Sequence, residues 1–197
     1  AREEERISKT KASVMFESGF LDALEAGTVS TLCEIHRLLF CDIYDFAGKL
    51  RTVNISKGKF RFASVMYLED ALAAVEKMPQ SSFDEIIEKY VEMNIAHPFR
   101  EGNGRSMRIW LDLMLKASLG KVTDWNSVDK ESYLAAMEHS PVSDRDIKAV
   151  IASALTDRIS DRDTFMKGID NSYYYEGYTA YSTARLSELH NKLNREC

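Results

Sequence analysis

The run His97-Pro98-Phe99-Arg100-Glu101-Gly102-Asn103-Gly104-Arg105-Ser106-Met107-Arg108 places a base, a carboxylate, a Gly-Asn-Gly turn and two regularly spaced arginines in one short stretch. The turn opens onto an apolar segment, 105–119, that reads as a helix. A helix start offers unpaired backbone N–H groups and a positive dipole end, so it attracts phosphate. Arg105 and Arg108 lie one turn apart and share a face. The dipole disfavours cations at a helix start by a few tenths of a kcal/mol or more each, so two arginines there imply an anion for them to hold. The pattern points to a nucleotide triphosphate site with a general base, His97, beside it. An imidazole with an ordinary pKa of roughly 6.5 is mostly neutral near pH 7 and can take a proton from a weak hydroxyl nucleophile. Taken singly, His97 reads better as a structural histidine at a helix end, and Glu101 as a solvated loop carboxylate; the motif around them favours the base.

The elements that must position these groups read as helices. Pro occurs three times and Gly nine times, so little interrupts helix formation. Apolar spacing predicts a helix from Ile7 to about Leu24, ending near Gly27. Thr31 with Glu34 reads as a capping box leading into Leu32, Ile35, Leu38 and Leu39, and Ser82 with Glu85 as a second box on a helix running to His97. The segment from about Arg105 to Leu119 is apolar nearly all round, which places it at the domain centre, with Gly120 ending it. Asp129 and Ser143 are expected caps, Asp163 the start of a shorter helix, and Thr179 or Ser182 the start of a last one carrying Leu186, Leu189 and Leu193. One exception breaks the helical pattern. Val53 and Ile55, then Phe60 and Phe62, alternate with polar residues around Lys57-Gly58-Lys59, a short β-hairpin. An isolated hairpin is marginal in water, so it must lean on the helices. The expected fold is all-α, built around one central buried helix, with this hairpin as its β excursion and residues 1–197 as one domain.

Composition narrows the function. With 45% hydrophobic residues the chain is an ordinary globular protein, and no apolar run reaches the length of a membrane span. A net charge of −5 argues against direct nucleic-acid binding. The charged start from Arg2 to Arg6 lacks the pattern of a signal peptide, so none is expected. Cys33, Cys41 and Cys197 have no metal-like spacing, so a reducing cytoplasmic setting is expected. Nor do His36, His97, His139 and His190 form a zinc spacing, which weighs against a metal hydrolase.

Residues 97–108 match every fixed position of the Fic family signature HPFx(D/E)GN(G/K)RxxR, and Ile43 to Arg51 resembles the stretch that precedes the family's hairpin, the flap. The resemblance covers a core of roughly residues 30–165. It implies transfer of AMP from ATP to a hydroxyl side chain of a target protein. It implies these roles: His97 as base; Glu101 as the Mg²⁺ ligand; Gly102, Asn103 and Gly104 as backbone and side-chain donors to the α- and β-phosphates; Arg105 on the β-phosphate region and Arg108 on the γ-phosphate. Phe99 and Met107 read as packing residues and Pro98 as a turn former. Relatives of the Doc type carry Lys at the position of Gly104 and transfer the γ-phosphate instead, so Gly104 favours adenylyl transfer. Phosphocholine transfer also occurs in the fold. The flap residues Ser56, Lys57, Gly58, Lys59, Phe60, Arg61 and Phe62 would align a target strand along the hairpin edge, or, equally, Phe60 and Phe62 simply cover core.

Ser172-Tyr173-Tyr174-Tyr175-Glu176-Gly177 resembles the family's inhibitory signature (S/T)xxxE(G/N), here following the core within a tail of about residues 166–197. On that resemblance Ser172 steadies a helix, Glu176 pairs with Arg108 where the γ-phosphate should lie, and Gly177 ends the motif. Tyr173 becomes a candidate for self-modification, a homo-oligomer a candidate regulator, and removal of AMP a second activity. The implied partners are ATP with Mg²⁺ and a protein bearing an exposed Tyr, Thr or Ser hydroxyl; bacterial relatives include enzymes that modify type II topoisomerase subunits. The competing reading is a nucleotide-binding regulatory module without turnover.

Overall fold

Helix α1 covers Arg2–Glu17 and is followed by a 3-10 turn at Phe20–Ala23. Helix α2 (Val29–Phe40) leads through a loop to the antiparallel pair β1 (Ser56–Lys57) and β2 (Phe60–Arg61). A 3-10 turn at Val65–Tyr67, α3 (Leu68–Lys77), α4 (Phe83–Ala96) and α5 (Asn103–Leu119) follow. Then come β3 (Val122–Thr123), a 3-10 turn at Trp125–Ser127, α6 (Lys130–His139), α7 (Arg145–Ser153), β4 (Leu155–Thr156) and α8 (Arg162–Tyr175). The structure, a computed structural model, describes residues 2–58 and 60–186. Lys59, Leu189, His190, Leu193 and Cys197 lie outside the described residues.

The expected all-α architecture holds. Helix α5 is the central element: eleven of its residues are buried, and it packs against α2, α4 and α8. Met107, Trp110, Leu111, Met114 and Leu115 are at most 1% exposed, and the Trp110 indole N–H donates to Thr28 O at 2.9 Å. Burying side chains of this size stabilises by about 1.5–3 kcal/mol each. Phe99 is likewise fully buried. The Ser82–Glu85 capping box, the Asp129 cap and the Gly120 terminus form as the sequence indicates.

Several local expectations are corrected. The first helix begins before Ile7 and stops at Glu17, because its buried face is polar: Glu5, Ser8 and Lys9 are buried beside Ala12 and Met15. Lys9 Nζ meets Glu5 and Asp170 carboxylates at 3.0 Å each and donates to Tyr181 O, so ion pairing to the C-terminal segment extends the helix where apolar spacing is silent. The cap of α2 is Thr28, not Thr31; Thr31 Oγ1 donates to Glu25 O, and Glu34 pairs with Arg37. Helix α7 starts after Asp144 without a side-chain cap, so Ser143 does not cap it. Asp161, not Asp163, caps α8, which is fourteen residues long rather than short. Between Thr179 and Ser182, it is Ser182 that takes the N-terminal position, its Oγ accepting from Arg185 N. The β3–β4 pair, in register Val122↔Thr156, was not expected: strands of two residues carry no readable alternation.

Candidate active site

A cleft of about 840 Å³ opens between the hairpin, the ends of α4 and α5, helix α6 and the end of α8. His97 caps α4 in the left-handed region at φ 49 and ψ 67, a conformation a non-glycine residue adopts at some cost. Its Nδ1 sits 3.1 Å from Asn94 O. That contact assigns the proton to Nδ1 and leaves Nε2 as an acceptor. The Phe62 ring stacks on the imidazole at 3.7 Å. Burial pushes the ring's pKa down to about 4, so His97 is neutral near pH 7.

Arg51 fixes the backbone around His97. It is 3% exposed, its Nε donates to His97 O at 2.8 Å, and its other nitrogens reach the carbonyls of Val53, Ala63 and Ala96. One guanidinium therefore ties the hairpin's foot to the end of α4. Ala63 N donating to Ile95 O adds a second tie. Helix periodicity gives no hint of such a role; the available signal is that Arg51 closes the stretch from Ile43 that resembles the segment before the family's flap.

The loop from Phe99 to Gly102 is held from both sides. Asn103 Oδ1 accepts from Phe99 N and its Nδ2 donates to Phe99 O, so the amide is committed to closing this turn. The expected free side-chain donor to phosphate is engaged there. His36, fully buried and stacked on Phe99, accepts from Gly48 N at Nδ1 and donates from Nε2 to Glu101 O. Sequence reading gave His36 no role. Gly102 has φ 78, and a Cβ there would come within 2.5 Å of the Phe40 ring, so glycine is required.

The start of α5 faces the cleft without a side-chain cap, whereas α2, α4, α6 and α8 each have one. Its first N–H groups are open to an anion. Gly104 has no Cβ to intervene; a methyl group there would overlap Glu176 Oε1.

The two arginines diverge in environment. Arg108 lines the cleft and is held by four hydrogen bonds: Nε donates to Ser172 Oγ at 2.7 Å, Nη1 to Tyr133 OH at 3.4 Å, and Nη2 to Ser172 O and to Glu176 Oε1 at 2.8 and 2.9 Å. Burial is the strongest single influence on the Glu176 carboxyl and raises its pKa, but the charge and hydrogen bond of Arg108, with the Lys57 and Arg105 charges, together outweigh it, so Glu176 sits below the usual carboxylate range. Arg105 lies behind the cleft, 1% exposed, bonded to Glu4 at 2.8 Å and Glu101 at 3.2 Å, with its guanidinium over Phe40 and Tyr178. Glu4 Oε1 also accepts from Tyr44 and Tyr178. Glu4 was missed from sequence because it sits in a run of three glutamates that reads as a solvated face.

Glu101 Oε1 accepts from Gly102 N and Arg105, and its side chain is 56% exposed at the cleft mouth. An exposed hard oxygen donor facing the open helix start fits Mg²⁺, which takes one or two carboxylates plus phosphate and water oxygens. The described hairpin residues Ser56, Lys57, Gly58, Phe60 and Phe62 line the cleft, while Arg61 is exposed on the other face. Gly177 has φ 87 and turns the chain after Glu176. Tyr173 is 1% exposed with its ring against Arg105, so its hydroxyl is closed off while α8 stays docked.

A model of the Fic/DOC family matches residues 26–115. The "Probable protein adenylyltransferase Fic" of Salmonella typhimurium is 30% identical over 138 residues, spanning 64% of this chain and 68% of that protein. Its Escherichia coli namesake is 31% identical over 121 residues, spanning 56% and 60%. The crystal structure of Bartonella tribocorum BepC protein with bound AMPPNP superposes with a TM-score of 0.63 at 17% identity, covering 75% of this chain and 84% of that one. With the motif, the fold and these relatives in agreement, the chain belongs to the Fic/DOC family.

Proposed function

We propose that this chain is a protein adenylyltransferase that moves AMP from ATP to a target hydroxyl and is held back by its own Glu176. The relatives' names and the AMPPNP in the BepC structure support the reaction class. The observation that carries the reading is the pairing of a neutral, Nε2-accepting His97 with an uncapped helix start whose second arginine, Arg108, is already bonded to a carboxylate.

In this reading the triphosphate lies along the start of α5, its N–H groups facing the α- and β-phosphates. The apolar wall of Leu134, Met137 and Pro141 offers a surface for the base. The target hydroxyl oxygen attacks the α-phosphorus while His97 Nε2 accepts its proton. The bond from the α-phosphorus to the bridging oxygen breaks, and pyrophosphate leaves. Glu101 would hold Mg²⁺, which neutralises phosphate charge when bound. Arg108 would take the γ-phosphate once Glu176 withdraws. While Glu176 holds it, ATP binds with its tail displaced, and a misplacement of about 1 Å can cost about a hundredfold in rate. Tyr173 becomes a candidate for self-modification after α8 loosens.

Comparing Glu176→Gly with Glu176→Gly/His97→Ala tests the assignment. Labelling from α-phosphate-labelled ATP should vanish in the double variant, with ATP affinity by calorimetry unchanged within about threefold. Equal labelling of both variants would remove His97 as base. ATP binding with no labelling in either would favour a module without turnover.

A further inference from the structure

The charge of this chain is unevenly placed. Residues 46–68 contain Lys49, Arg51, Lys57, Lys59 and Arg61 and no acid, while the whole chain carries −5. The remainder therefore totals −10. Arg51 is internal, spent on backbone carbonyls, and Lys49 Nζ donates to Asp45 O. Lys57 and Arg61 are exposed, as is Arg100 at the cleft mouth, and none of the three makes a salt bridge among the described residues. Lys57 pairs in register with Phe60 and Ser56 with Arg61, so Lys57 stands on the cleft face and Arg61 on the opposite face of the same hairpin. The carboxylates that share the cleft are Glu101, Glu138 and Glu176; Glu176 is bonded to Arg108, and Glu101 to Arg105.

At the hairpin's foot, Val53, Met66 and Tyr67 are 44%, 80% and 63% exposed. Val65 N donates to Asn54 Oδ1, which draws these two segments together. The hairpin pairs with no further strand among the described residues, so its outer edges offer alternating N–H and C=O groups.

We propose that the flap selects an extended protein segment bearing carboxylates within a few residues of the acceptor hydroxyl, read by Lys57 and Arg61 from opposite faces of the hairpin. This rests on the adenylyl-transfer reading for the acceptor and deepens it with a substrate class. A strand laid on the edge alternates its side chains between the two faces. One cation on each face therefore matches acids on both sides of that strand. The free edge and the apolar foot fit a polypeptide better than a nucleic acid.

The test uses the full chain and three fluorescent dodecapeptides with a central Tyr flanked by Glu, Gln or Lys, followed by anisotropy without nucleotide. The Glu-flanked peptide should bind about tenfold tighter than the Gln-flanked one, the reach of two partly exposed charge pairs, and lose that margin at high salt. Lys57→Glu/Arg61→Glu should turn the preference to the Lys-flanked peptide, and the milder Arg61→Gln should shrink it about threefold, with thermal midpoints confirming that both fold. Equal binding of the three peptides, no binding of the Glu-flanked one, a preference that survives charge reversal, or tighter binding of a single-stranded uridine dodecamer would each overturn the proposal. ATP affinity and self-labelling of Glu176→Gly involve no peptide, so their loss would mark failure of the underlying transfer reading instead.

Discussion

At the scale of single residues, burial sets the protonation of His97, the proposed base. A free imidazole loses half its basic form near pH 6.5, but His97 keeps its neutral form down to about pH 4. Glu176 raises its proton affinity and Lys57 lowers it, so removing Glu176 moves the ring further down. The transfer rate of Glu176→Gly should therefore stay flat from pH 8 to about 5, measured with ATP saturating. A half-loss near pH 6.5 would contradict a half-buried His97 that is neutral. The motif residues themselves were legible because their spacing is dense and ordered. Arg51, His36 and Glu4 were not: each acts by donating to or accepting from backbone or side chains far away in sequence, and no local pattern encodes such pairs.

At the scale of elements, α8 is clamped from two directions. Arg108 holds its last turn through Ser172 and Glu176. On the far side, Trp125 O accepts from Asn171 and Tyr175, and Trp125 itself is anchored by Asp112, whose oxygens accept from Trp125 Nε1 and Thr123 N at 2.8 Å. Asp112 thus positions α8 without touching the cleft. Asp112→Asn loses one acceptor and leaves a buried donor unpaired, a cost of about 1–3 kcal/mol. Basal self-labelling should rise several-fold, by less than in Glu176→Gly, with ATP affinity unchanged; an unchanged labelling rate would detach Asp112 from α8. The long, strongly apolar α5 and the boxed α4 were legible element by element. The start of α1 and the cap of α2 were not, since a polar buried face and a competing Thr pair override hydrophobic spacing and motif matching.

At the scale of the whole molecule, buried ionisable groups couple stability to pH. His36 and His97 both have native pKa values near 4, below the unfolded value of about 6.5. The unfolded chain takes up their protons first, so their stabilisation is present above pH 6.5 and lost as pH falls towards 4. Asp112, raised to about 7 by burial, acts in the opposite sense, the native state gaining its proton on acidification. Two histidines against one carboxyl leave a net loss, approaching one proton's worth of slope between about pH 6 and 5. The urea midpoint should fall across that interval and fall more steeply in Asp112→Asn. A midpoint that rises on acidification would contradict the buried, neutral state of the histidines. The sequence could place both histidines at helices but could not show that His36 is sealed in the core or that His97 is half-covered at the cleft wall, because burial is a property of the assembled core.

At the centre of the proposed function is a carboxylate bonded to Arg108, the arginine proposed to take ATP's last phosphate. The most direct measurement is the initial rate of AMP incorporation from α-phosphate-labelled ATP by wild type and Glu176→Gly at equal concentration. The expected result is a rise on the order of a hundredfold in the variant, with little change in ATP affinity. Equal rates, with both proteins folded and binding ATP, would contradict it.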